Sequence, residues 1–137
     1  MPTPQPFDTA ALHALVPLAQ TLGLRVATAA PDGVRVELDH RAELCTAGGV
    51  LHGGAIMALA DTAGALCAYL NLPEDATGTT TVESKTNLLA AVRGGTLAAT
   101  ATPLHVGARL VVVETELRRD DGRLAAKTTQ TQAVLTA

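Results

Sequence analysis

Residues 49–70 read GVLHGGAIMALADTAGALCAYL, and their spacing predicts a helix from His52 to about Leu70. Ile56, Leu59, Ala60, Ala63 and Cys67 recur at helical intervals. The other faces carry Ala55, Ala58, Gly64, Ala65 and Ala68, so nearly the whole circumference is small or apolar. A helix of that kind is buried on most sides. The rest of the chain has to supply its cover.

The text after this helix reads as strand. Thr79–Val92, Thr96–Val106, Arg109–Arg118 and Leu124–Leu135 alternate with period two and are rich in Thr and Val. Arg93-Gly94-Gly95 and Asp120-Asp121-Gly122 are expected hairpin turns. Before the helix, Leu24–Ala29 and Val34–Asp39 read as strands joined by Pro31-Asp32-Gly33. Residues 40–51 read as irregular, and Asn71–Gly78 as a polar loop. Within the N-terminal helical segment 1–23, residues 8–22 are expected as helix capped by Asp8 and split at Pro17, which lacks an amide donor. The expected class is α+β: one domain over 1–137, with an antiparallel sheet curled around the long helix 52–70.

Composition narrows the function. A chain of 137 residues buries roughly 70% of its unfolded surface. Apolar residues make up 47%, yet there is one Phe, one Tyr and no Trp. The core is therefore aliphatic, and small side chains each bury little area, at about 25 cal/mol per Å². Sharing apolar surface with a second copy favours such a domain. The net charge of −3 argues against a nucleic-acid partner, which demands clustered Lys and Arg. No apolar run approaches the roughly 20 residues that span a bilayer, and no signal peptide is visible after Met1. Cys45 and Cys67 have neither metal-ligand spacing nor a disulfide pattern. No metal is expected, and a cytoplasmic location is.

Two features depart from an ordinary core helix. Gly53 and Gly54 follow His52 at its start, where the first N–H groups lack helical partners and the macrodipole adds positive charge. An oxyanion is stabilised at such a place, although two glycines also permit a tight turn or close packing. Asp61 stands in the middle of the apolar helix. A structural hydrogen bond or a solvated edge accounts for it, and so does a role as nucleophile or general base. Eight residues separate Gly53 from Asp61, roughly 12 Å at 1.5 Å per residue. One carbonyl group cannot meet both within a chain. An enzyme with these two groups requires a dimer with sites at its interface.

The stretch GGVLHGGAIMALADTAGAL resembles the helix motif of the hotdog-fold acyl-CoA thioesterases, in the branch with phenylacetate-pathway, 4-hydroxybenzoyl-CoA and 1,4-dihydroxy-2-naphthoyl-CoA thioesterases. TPLHVGARLVVVETELRRDDGRLAAKTT resembles their last hairpin strands, and ESKTNLLAAVRGG their central strand. The likeness covers about residues 20–136. It implies hydrolysis of an acyl- or aryl-CoA thioester by a cytoplasmic homodimer, often paired into a tetramer. Coenzyme A enters as part of the substrate, and no separate cofactor is implied. By position, Asp61 matches the catalytic acid, Gly53 the carbonyl-polarising N–H and His52 the motif histidine. Thr46, Gly54, Thr81, Leu88, Leu89, His105, Gly107 and Arg109 fall where relatives contact substrate or CoA.

Two positions depart from that pattern. Thr46 stands where relatives carry Gln or Asn, and Ala65 where they often carry Ser or Thr. Both remove polar help around the acid, which implies slower or differently tuned hydrolysis. A non-catalytic acyl-CoA-binding module is the alternative that the lost amide favours. A hydratase on the same fold requires a His–acid pairing in other motifs, which this sequence lacks.

Overall fold

The computed structural model describes residues 6–137; Met1 to Gln5, part of the expected N-terminal segment, lie outside the described residues. Asp8 accepts the Ala11 N–H at 2.8 Å and caps α1, Thr9–Leu15. α2, Pro17–Leu22, begins at the proline, as its missing donor dictates, and closes on Gly23 at φ 71. The Arg41 guanidinium then satisfies the carbonyls of Thr21 and Leu22.

β1, Arg25–Ala30, and β2, Gly33–Asp39, form a hairpin across Pro31 and Asp32. Two short 3-10 turns, Ala42–Leu44 and Ala47–Gly49, occupy the stretch read as irregular. α3 runs Gly53–Tyr69, followed by β3, Ala76–Leu88; β4, Thr96–Val106; β5, Leu110–Arg118; and β6, Leu124–Thr136. The six strands make one antiparallel sheet in the order β1-β2-β4-β5-β6-β3.

α3 packs against β2, β3, β4, β5 and β6. Its buried residues Ile56, Leu59, Ala60, Ala63 and Cys67 meet a sheet face built by alternation. That face presents Val34, Val36 and Leu38 from β2, Leu97, Ala99 and Ala101 from β4, and Val111, Val113 and Leu117 from β5. Each fully buried leucine contributes roughly 2 kcal/mol. β6 is different: beyond Ala126 its inward positions Thr128, Gln130 and Gln132 are polar, and all are buried.

One expected turn is corrected. Arg93-Gly94-Gly95 does not close a hairpin, because β3 pairs with β6 while β4 lies between β2 and β5. β3 also ends four residues earlier than expected. Residues 89–95 instead cross the end of the sheet: Leu89 and Ala90 donate to Ala125 O, and Leu51 N donates to the carbonyl of buried Val92. Gly95 still needs a left-handed φ of 68, but a turn residue does not specify which strands it joins. β3 is consequently an edge strand of 13 residues with one side unpaired. Among the described residues, no helix is long and apolar enough to cross a membrane.

Candidate active site

The entrance to α3 is organised by His52. Its backbone is extended (φ −62, ψ 135), and its Nδ1 accepts the Gly54 N–H at 2.8 Å. A neutral ring in this role carries its proton on Nε2. The His52 carbonyl takes the N–H groups of Ala55 and Ile56. The first N–H groups of the helix are expected to be open, and of the two glycine amides one is. The Gly54 N–H is capped, whereas the Gly53 N–H has no acceptor among the described residues. Over it lies Leu88, whose Cδ1 would sit 2.8 Å from a Cβ at position 53. Gly53, Leu88, Leu89, Val50 and Val92 line a groove of about 300 Å³.

Asp61 projects from α3 about two turns further on, half-buried against β3 and β6. Its Oδ1 accepts two hydrogen bonds, from Thr81 Oγ1 at 2.7 Å and from Gln130 Nε2 at 3.0 Å. Thr81 in turn accepts from Gln132 Nε2, and Thr79 Oγ1 lies 3.1 Å from Gln132 Oε1. A half-buried carboxylate is costly without donors, and this chain of hydroxyls and amides offsets that cost. Among the described residues no donor reaches Oδ2. Asp61 lines a second groove, of about 340 Å³, with Leu12, Leu15, Ala65, Leu66 and Tyr69. Edge-to-face packing of Phe7 on Tyr69, centroids 6.3 Å apart, ties the start of the chain to the end of α3.

The structure brings together some of the expected residues and separates others. Thr81 meets Asp61, and Leu88 and Leu89 share a groove with Gly53. Thr46 is exposed, with its N–H on Val50 O and no side-chain bond. Ala65 presents an apolar side chain to the groove beside Asp61. Thr62 turns its hydroxyl back onto Ala58 O at 2.7 Å and does not replace it. His105, Gly107 and Arg109 belong to the β4–β5 hairpin and line neither groove of this chain.

Gln130 and Gln132 escaped the sequence reading, which took β6 as plain strand. The signal present was a polar residue at every second position, Thr128, Gln130 and Gln132. Thr129 and Thr131 between them blurred which face was inward.

A long apolar helix laid along one antiparallel sheet, entered through His-Gly-Gly and carrying a partnered carboxylate, defines a hotdog-fold domain of the thioesterase type. Residues 48–126 match the model of the Thioesterase superfamily. A Mycobacterium tuberculosis protein provisionally assigned as an esterase is 31% identical over 126 residues, 90% of each chain. Its solved structure covers 89% of this chain, itself 98% covered, with a TM-score of 0.85. The crystal structure of a Haemophilus influenzae thioesterase has a TM-score of 0.86 at 27% identity, covering 93% of this chain and 90% of its own. The 1,4-dihydroxy-2-naphthoyl-CoA hydrolase of Escherichia coli is 33% identical over 87 residues, 64% of this chain and 63% of that protein. The chain belongs to the Thioesterase superfamily.

Proposed function

We propose that this protein is a cytoplasmic hydrolase that converts an acyl- or aryl-CoA thioester into the free acid and CoA. The observation that carries this reading is the state of Asp61: two donors hold Oδ1, no donor among the described residues reaches Oδ2, and the residue borders a largely apolar groove. A carboxylate so held is suited to attack a carbonyl carbon or to deprotonate a water. The C–S bond then breaks, CoA leaves as its thiolate, and water supplies the new oxygen of the acid. The free Gly53 N–H binds the carbonyl oxygen as charge develops on it. The named activity of the Escherichia coli relative supports a CoA thioester as the substrate class. Arg109, exposed on its hairpin, offers a cation to a CoA phosphate.

In this reading the working unit is a homodimer formed along β3. Unpaired backbone on a 13-residue edge is a template for another strand. Two copies paired antiparallel over their full length set Ala76 of one beside Leu88 of the other. Thr77, Gly78 and Thr79 border the Asp61 groove, and Leu88 borders the Gly53 groove. The same pairing therefore joins one half-site from each chain and makes two equivalent sites. A dimer of dimers, as the family resemblance implies, leaves these sites unchanged.

The test is release of free thiol from a panel of aliphatic and aromatic CoA esters, with Asp61→Asn alongside. Turnover by the wild type and a loss of at least about 10²-fold in the variant are expected. Tight binding of CoA esters without turnover overturns the reading in favour of a binding module. Equal rates for the variant and the wild type remove Asp61 from the mechanism.

A further inference from the structure

We infer that Gln130 is a positioning residue for Asp61 and that Gly64 is the notch that seats it; the inference rests on the catalytic role proposed for Asp61. Gln130 is fully buried on the inner face of β6. Its Nε2 donates to Asp61 Oδ1 at 3.0 Å, while its Oε1 is buried and has no hydrogen-bond partner. A buried amide with one end unsatisfied is destabilising. An apolar side chain of the same length packs β6 against α3 without that penalty. The amide is therefore not explained by the fold; it is explained by what its donor does to Asp61.

Gly64 makes the contact sterically feasible. It is buried on α3, one turn beyond Asp61, and a Cβ there would lie 2.0 Å from Gln130 Oε1 and 2.4 Å from its Cδ. Any side chain at position 64 drives the amide out of its seat. The colliding atoms are the end of a flexible side chain, so the backbone tolerates the change while the bond to Asp61 does not. Thr81 approaches the same Oδ1 from β3. With both donors on Oδ1, the carboxylate plane is set and Oδ2 is the oxygen left to react. Small errors in such placement cost rate steeply.

Kinetics on the best CoA ester, together with NMR of the side-chain amide, test this. Gln130→Met and Gly64→Ala are each expected to lower kcat about 10- to 100-fold with KM changed less than about twofold. On an Asp61→Asn background Gln130→Met should have no further effect, because its action passes through that carboxylate. A merely structural glutamine gives additive losses in that cycle. If Gln130→Met does not fold, Gly64→Ala carries the same kinetic test. Independently of turnover, the Gln130 side-chain amide protons should be protected from solvent exchange, and Asp61→Ala should remove that protection. Full activity in both variants beside an inactive Asp61→Asn overturns the positioning role and leaves the proposed reaction standing. Unprotected amide protons in the wild type overturn it without any substrate.

Discussion

Gly53 and Asp61 lie about two turns apart on α3 and open onto different grooves, one walled by Leu88 and the other by Leu66 and Tyr69. Roughly 12 Å of helix separates them, so a site that uses both combines two chains. Gly53→Pro removes the free N–H and keeps the helix, since Gly53 is the first helical residue and His52 is already extended, and its Cβ also pushes the Leu88 methyl aside. Gly53→Pro and Asp61→Asn should each be nearly inactive, down about 10²-fold or more. Unfolding and refolding them together should restore about a quarter of wild-type activity, because half of the dimers are mixed and each has one intact site. A site contained within one chain gives no recovery.

Val82 is at the midpoint of β3 and 57% exposed in the single chain. Pairing of two β3 edges brings the two copies of this residue close together. Val82→Arg places like charges there, which is destabilising across strands. Sedimentation should show a dimer for the wild type and a shift to monomer at micromolar concentration for the variant. Activity should fall in parallel. A variant that stays dimeric and active places the interface elsewhere.

Asp39 ties three strands together. Arg25 on β1 donates to both of its oxygens, at 2.5 and 3.1 Å, and Thr96 on β4 adds a bond at 2.7 Å. The Arg25 bond, helped by Thr96, holds the Asp39 carboxyl below its usual range. A carboxyl depressed in the folded state stabilises the fold above its unfolded value near 4, and the gain is lost as pH falls through the lower folded value. The pair is exposed, so the effect is below about 1 kcal/mol. Asp39→Asn should lower Tm by a few degrees at pH 7, with the difference shrinking in thermal melts as pH falls below about 4. A difference that does not shrink with falling pH removes the electrostatic explanation.

Cys67 is fully buried on α3. Burial pushes its thiol up to about 11, and Asp32 adds a smaller push in the same direction. Both thiolate formation and access are therefore denied to it. Iodoacetamide at pH 8 should modify Cys45, which is half-buried, and leave Cys67 intact until the protein is unfolded. Peptide mass spectrometry reads the two positions separately. Modification of native Cys67 at a comparable rate contradicts this packing of α3.

Much of the architecture was readable from local spacing. The apolar circumference of residues 53–69, the break at Pro17 and the Asp8 cap are all properties of neighbours in sequence. The Asp120-Asp121-Gly122 hairpin was readable for the same reason. The Arg93-Gly94-Gly95 hairpin failed because glycines permit a turn without naming the strands on either side. Only the long-range pairing of β3 with β6, Thr86 against Thr128 and Ser84 against Gln130, decides that.

The helix opened by Gly53 and Gly54 and interrupted by Asp61 was determined by the sequence alone, because helical period and residue chemistry are local. So was the separation of Gly53 from Asp61, which follows from the rise of a helix. What the tertiary structure decided is the environment of each group. His52 takes the Gly54 N–H, and no described residue takes that of Gly53. Thr81, 20 residues on, and Gln130, 69 residues on, converge on one oxygen of Asp61. Those contacts depend on which strands become neighbours around α3. That choice is made by packing the whole sheet, and no window of sequence contains it.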